Sequence, residues 1–278
     1  MKAVISASRR TDIPAFYLNW LIRVINSGGV KVQNPVYKKI SAYVDMRAQS
    51  VEWIVLWSRN YAQFLKNRQF FSDYQLFFHF TILSHHRLLE KSNIPITNTI
   101  RQMEDLVNYY RPDHIIWRYD PIVCWRENDE IFTNYKSDDF NNLCRTFSSM
   151  GIRRCYFSFV TMYSKFKRRF QKKYPRLDLV SGQEKIFGNI LADMREISDH
   201  YNIRLFSCCN DKLIGFNTYK GSCISGEILN ELSAKNRVTQ AKTPTREDCG
   251  CTKSIDIGDY LKQPCHFGCI YCYANPVL

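Results

Sequence analysis

No apolar run in this chain of 278 residues reaches the roughly 18 residues that a membrane-spanning helix needs. The apolar stretch behind Met1 gives way at once to Ser8-Arg9-Arg10-Thr11-Asp12, so it is too short for a signal peptide. These absences predict a cytoplasmic protein with no membrane partner. Acidic residues are scarce, 26 against 39 basic ones, for a formal charge of +13. Between positions 152 and 176 stand nine Lys or Arg residues and no Asp or Glu. Such a balance favours anionic partners, nucleic acid first, although a solvated helix face explains the run as well. Low-complexity segments and clear linkers are also missing. With 45% apolar and 23% charged residues, the chain is globular and long enough for one large α/β domain or two small ones.

Cysteine is abundant. Eleven cysteines in a reducing compartment argue for metal or redox chemistry over disulfides. Cys124, Cys144 and Cys155 stand alone in apolar patterns, as inert core thiols do. The other eight run from Cys208 onward, five of them between Cys249 and Cys272.

Short apolar runs at 3–7, 53–57, 76–83, 114–119, 154–161 and 204–208 are rich in Ile, Val, Phe, Tyr and Trp. Their length and continuity predict buried parallel strands. Between them, 14–26, 97–110, 137–150 and 184–201 carry apolar residues at helical spacing. An antiparallel hairpin over 30–34 and 40–44 is a further expectation. Six or more β-α repeats predict an α/β fold with a TIM-like parallel barrel, complete or partial, over residues 1–243. Residues 244–278 have many cysteines and little periodicity. They read as a cysteine-rich tail packed on the barrel within one structural unit.

Polar residues recur where the predicted strands end: Ser8 to Asp12, Ser58-Arg59-Asn60, His79 and Thr81, Arg118-Tyr119-Asp120-Pro121, Ser158 and Thr161, and Cys208-Cys209-Asn210. In a parallel α/β barrel these ends converge on the face that holds active sites. Arg9 and Arg10 together suit a carboxylate or a phosphate. Asp12 either pairs with them or caps the following helix. Arg118 and Asp120 form a similar pair. Arg9, Arg10, Asp12, Arg118 and Asp120 are therefore the candidate catalytic residues, for an anionic substrate.

Cys265-x3-Cys269-x2-Cys272 offers three thiolates from one tight loop. Three thiolates leave one iron of a [4Fe–4S] cluster open to a substrate or cofactor. Gly268 lets the backbone approach the inorganic sulfides. Zinc is the rival, drawing four ligands from Cys249, Cys251, Cys265, His266, Cys269 and Cys272. Cys249 or Cys251 could also supply a fourth cluster ligand, or join Cys208, Cys209 or Cys223 in a second cluster. Burial at a strand end accounts for Cys208, Cys209 and Cys223 equally well.

The CxxxCxxC spacing with aromatic Tyr271 before the last cysteine resembles the radical S-adenosylmethionine superfamily. The resemblance implies that Cys265, Cys269 and Cys272 ligate three irons. It further implies that S-adenosylmethionine chelates the fourth, that one electron from the cluster, itself supplied by an unknown electron donor, cleaves the sulfonium bond and releases a 5′-deoxyadenosyl radical, and that Tyr271 lies near the adenine. Arg9 and its neighbours would then meet the cofactor carboxylate or the substrate. Superfamily members carry the motif after the first barrel strand. Here it follows all the others, which fits either a permuted barrel or a tail folded over the mouth near strand one. Both ends of the chain also resemble a bacterial family of unknown function. The matching residues are Ser8 through Tyr17, Cys249-Gly250-Cys251, Ser254, Asp256-Ile257-Gly258, Tyr260 and Cys265 through Asn275. Asn34-Pro35, Trp57 through Asn60 and Arg118 through Pro121 fit as well. The segment around Tyr271 and Cys272 is locally similar to the DNA-repairing spore photoproduct lyases.

Two readings follow. One is an iron–sulfur enzyme of radical type acting on an anionic substrate, with nucleic acid a candidate. The other is a nucleic-acid-binding protein whose metal site, iron–sulfur or zinc, only fastens the tail.

Overall fold

The computed structural model describes residues 2–34, 37, 39–92, 94–181, 185–233, 238–243, 246–274 and 276–278. Pro35, Glu184, Pro244 and Asn275, named above, lie outside them. The elements begin with β1 (Ala3–Ala7), α1 (Ile13–Phe16), α2 (Leu18–Asn26), β2 (Gly29–Gln33), β3 (Ser41–Asp45), β4 (Val51–Ser58) and α3 (Ala62–Lys66). They continue with β5 (Leu76–Thr81), α4 (Ile96–Tyr110), β6 (Ile115–Ile122), β7 (Cys124–Glu127), β8 (Glu130–Thr133) and α5 (Ser137–Ser149). The last are β9 (Arg154–Phe159), α6 (Ser164–Lys173), β10 (Leu177–Leu179), α7 (Lys185–His200), β11 (Arg204–Cys208), β12 (Thr218–Gly221), α8 (Gly226–Leu232) and β13 (Ile255–Asp256).

Eight strands form one sheet in the order β12-β11-β9-β6-β5-β4-β1-β13, and every neighbouring pair is parallel. From β1 to β12 the strands follow chain order. The last strand, β13, lies on the other side of β1, with Ile5 opposite Ile255 and Ser6 opposite Asp256. The fold is thus α/β with a large parallel sheet. Among the described residues that sheet runs from edge to edge without closing into a barrel.

Strands such as β4 are buried along nearly their whole length, as parallel strands covered on both faces are. Helices α4, α5 and α7 supply one cover, burying Met103 and Leu106, Phe140, Leu143 and Phe147, and Ile190, Leu191 and Met194. These residues recur three or four apart, which puts them on one helix face. Cys124, Cys144 and Cys155 are buried thiols of this core, and burial raises each above the ordinary thiol range. The predicted helix over 14–26 is divided at Tyr17, whose φ of −129° breaks the helical path. Its hydroxyl donates to the Pro264 carbonyl at 2.6 Å and ties down the tail. The basic stretch becomes α6: Phe166 and Phe170 are buried, and Lys165, Lys167, Arg168, Lys172 and Lys173 face solvent. The hairpin β2–β3 is antiparallel as expected. A second antiparallel sheet, β10-β7-β8, was not legible in the pattern.

Candidate iron–sulfur site

Parallel strands deliver their C-terminal ends to one side of the sheet. There Ser8 to Asp12 after β1, Ser58 and Arg59 at β4, Thr81 at β5, Arg118 and Asp120 of β6, Ser158 of β9 and Cys208 of β11 line one cavity of about 270 Å³. Cys265, Cys269, Tyr271 and Cys272 of the tail complete its wall. Every predicted site residue therefore meets the same space.

The tail arrives because β13 is a strand of the sheet. Arg9 Nε lies 3.3 Å from Asp256 Oδ2, and Arg9 Nη2 donates to Ser254 Oγ at 3.1 Å. Ser8 Oγ donates to Asp256 Oδ1 at 2.8 Å. Arg10 donates to the carbonyls of Gln33 and Gly258 at 3.3 and 2.9 Å. The two arginines thus clamp the tail to strand one while lining the cavity. Asp12 is the helix cap: its carboxylate accepts from Ala15 N at 3.0 Å, Ser58 Oγ at 2.7 Å and Arg59 N at 2.9 Å. Burial raises its pKa to about 6 even against those bonds. On β6 the Arg118 guanidinium pairs with Asp120, Nε to Oδ2 at 3.1 Å, and Asp120 accepts from Ser158 Oγ.

Each motif thiol has an N–H donor. Phe267 N–H reaches Cys265, Ala274 N–H reaches Cys272, and Arg59 Nη1 lies 3.2 Å from Cys269 Sγ. Burial first, then the charge of Asp12, raises Cys265; burial raises Cys269 to about 11 against the pull of Arg59. N–H donors at each sulfur suit thiolates that bind iron, whose clusters are tuned by such bonds. No three His, Cys, Asp or Glu side chains among the described residues are set to hold a single ion. A cubane makes a different demand, since each thiolate binds its own iron. Three desolvated sulfurs on one loop, each with a donor, fit such a cluster. The Cys249 thiol meets Cys209, and the Cys251 thiol meets Cys223, so both belong to another group of thiols.

Sequence reasoning passed over a second layer. Arg59 Nη2 donates to Glu90 Oε2 at 2.9 Å, and Nη1 donates to the Tyr271 hydroxyl at 2.9 Å. Tyr271 O–H donates in turn to Glu90 Oε1, and His85 Nδ1 sits 3.3 Å from Oε2. Burial would push Glu90 up, yet Arg59, His85 and Tyr271 hold it at about 2. Tyr271 borders the cavity, with its hydroxyl held by this network. Arg59 was visible as a polar residue ending a strand; nothing in the sequence linked it to Glu90.

The arrangement defines a parallel α/β protein with a cysteine-lined cavity at the C-terminal ends of its strands. By sequence the chain belongs to the family of domains of unknown function DUF1848, whose model matches residues 4–274. No curated protein matches it.

Proposed function

We propose that this protein is an iron–sulfur enzyme of the radical S-adenosylmethionine type, built on a partial barrel and acting on an anionic substrate. One observation carries the reading. The CxxxCxxC loop follows β13, the edge strand beside β1, and its three thiols line the same cavity as Arg9, Arg10, Arg118 and Asp120. A motif placed last in the chain thereby follows the outermost parallel strand, which supports the permuted form. Cys249 and Cys251 contact other thiols, which leaves three ligands for the cluster.

Cys265, Cys269 and Cys272 would hold the cluster, which when bound supplies an electron and an open iron for S-adenosylmethionine. The protein's own groups do the rest. Arg59 keeps positive charge against Cys269, and Glu90 fixes that guanidinium. Arg118 is oriented by Asp120, and Asp120 by Ser158. Of the five guanidiniums on the cavity wall, Arg9, Arg59 and Arg118 are paired with Asp256, Glu90 and Asp120, while Arg10 and Arg246 bond neutral oxygens and leave an excess of positive charge over the Asp12 carboxylate. That excess favours an anionic ligand.

The test is anaerobic. Dithionite-reduced protein with S-adenosylmethionine should yield 5′-deoxyadenosine, and C265A/C269A/C272A should yield none. Absence of product from iron-loaded wild-type protein overturns the reading. The second reading, nucleic-acid binding, draws on the solvent-facing cations of α6, beside which Arg169 donates to the Cys272 carbonyl. A salt-dependent mobility shift with DNA or RNA checks it.

A further inference from the structure

Five of the remaining cysteines, from three separate segments of the chain, meet one another, and Cys208 and Cys223 among them line the cavity. Cys208 ends β11, and Cys209 follows with a positive φ of 56°. Cys223 follows β12, while Cys249 and Cys251 come from the segment before β13. Cys208 Sγ lies 3.4 Å from Cys223 Sγ. Cys223 also meets Cys251, and Cys209 meets both Cys208 and Cys249. The thiols form one continuous chain, 249-209-208-223-251.

Thiols are weak donors and weak acceptors, so five of them in contact, three buried and two half-buried, satisfy each other poorly. Their surroundings are those of an anionic centre. Arg118 Nη1 lies 3.3 Å from Cys223 Sγ. Arg246 faces Cys208 and Cys209, and Arg9 faces Cys251 and Cys223. The Ile224 N–H donates to Cys251. The backbone is pressed close as well. A Cβ on Gly250 would stand 2.3 Å from Ser222 Oγ, and one on Gly221 would stand 2.7 Å from the Ser207 carbonyl. Glycine at 250 lets the Cys249–Cys251 segment approach that of Cys223, and glycine at 221 lets the Cys223 segment approach that of Cys208.

We propose that Cys208, Cys223 and Cys251, with a fourth thiolate from the Cys209–Cys249 pair, hold a second iron–sulfur cluster, separate from that of Cys265, Cys269 and Cys272. Four thiolates complete the protein ligation of a [4Fe–4S] cube, and three guanidiniums offset the negative charge of the assembly. Cys208 and Cys223 line the cavity, so this centre borders the same space as the loop of Cys265, Cys269 and Cys272. This centre stands whether or not the first loop supports radical chemistry, since no thiol is shared.

The decisive protein is C265A/C269A/C272A, in which the five thiols are intact. Reconstituted anaerobically with ferrous iron and sulfide, it should retain about four irons with matching sulfide, against about eight in the wild type. The reduced protein should give a cluster signal by electron paramagnetic resonance. The converse variant C208A/C223A/C251A should lose that signal and keep the other set of irons. A folded C265A/C269A/C272A protein, judged by far-UV circular dichroism, that binds no iron overturns the proposal. So does one that carries a single zinc instead, or a Cys208–Cys223 disulfide without metal. Failure to form 5′-deoxyadenosine in the wild type would count against the proposed activity and leave this centre untouched.

Discussion

Arg59 places Nη1 3.2 Å from the sulfur of Cys269, and the same guanidinium neutralises the buried Glu90. The pair joins the end of β4 to the turn beneath the cysteine loop. Removing one partner of a buried pair leaves a charge without compensation. R59M should therefore destabilise the protein by about 3–5 kcal/mol in anaerobic urea unfolding. R59M/E90Q should recover much of that loss, because no carboxylate is then left unpaired. Equal stability of the two variants would show that Glu90 is not the source.

Tyr271 connects the network to the cysteine loop. Its hydroxyl accepts from Arg59 and donates to Glu90. Y271F removes one hydrogen-bonding group, while Arg59 and His85 still face the carboxylate. A loss of about 1–2 kcal/mol is expected, with the iron content unchanged. Iron loss with unaltered stability would instead assign the hydroxyl to the cluster itself.

Asp12 and Arg9 show how far the sequence reaches. The expectation that Arg9, Arg10 and Asp12 share a cavity with the three cysteines holds, because strand ends in a parallel sheet converge wherever the strands come from in the chain. The alternatives left open for Asp12 resolve to the cap. Arg9 is engaged by Asp256, and no local pattern announces a partner that far along the chain. β13 has two residues and β12 reads Thr-Tyr-Lys-Gly, so neither carries an apolar run that periodicity can detect. The Arg59–Glu90 pair escapes for the same reason. The six main strands were legible because burial on both faces demands continuous Ile, Val, Phe and Trp.

The cap itself is testable. D12A strips the acceptor from Ala15 N, Ser58 Oγ and Arg59 N together, and should cost about 2–4 kcal/mol. D12N keeps an oxygen there and loses the charge. Burial raises Asp12 to about 6, so its charged form opposes folding. Wild-type stability then falls relative to D12N as pH rises from 4 to about 6, by roughly 3 kcal/mol or less. Thermal unfolding of both proteins across that interval checks the sign.

His79 produces the opposite slope. The ring is buried and stacked on Trp57 at 4.9 Å, and its Nε2 lies 2.7 Å from the Cys223 carbonyl. Burial, then the charge of Arg118, lowers its pKa to about 3. The unfolded chain binds a proton near pH 6.5 that the folded ring refuses. The stabilisation is complete above pH 6.5 and is lost as pH falls toward 3. Between pH 7 and pH 5 the wild type should lose about 2 kcal/mol more than H79F. Parallel curves for the two proteins would refute the assignment.

Gly268 sets the shape of the cysteine loop. Its φ is +65°, and a Cβ there would lie 2.6 Å from Lys91 Cβ. The loop is stitched to that segment: Ser92 N donates to the Phe267 carbonyl at 3.1 Å, Lys91 N to the Gly268 carbonyl at 3.4 Å, and Glu90 bridges Cys269. In G268A the left-handed backbone alone costs about 1–2 kcal/mol. The contact with Lys91 must also be relieved by moving one segment away from the other. That motion shifts Cys269 away from Arg59 and Glu90, so if the loop holds the proposed cluster, iron should leave G268A faster than wild type under a chelator such as EDTA. The circular dichroism spectrum should stay the same, because the sheet is not involved. Wild-type iron retention together with a wild-type melting temperature would mean that the loop tolerates a side chain, and that its geometry is fixed by the cysteines alone.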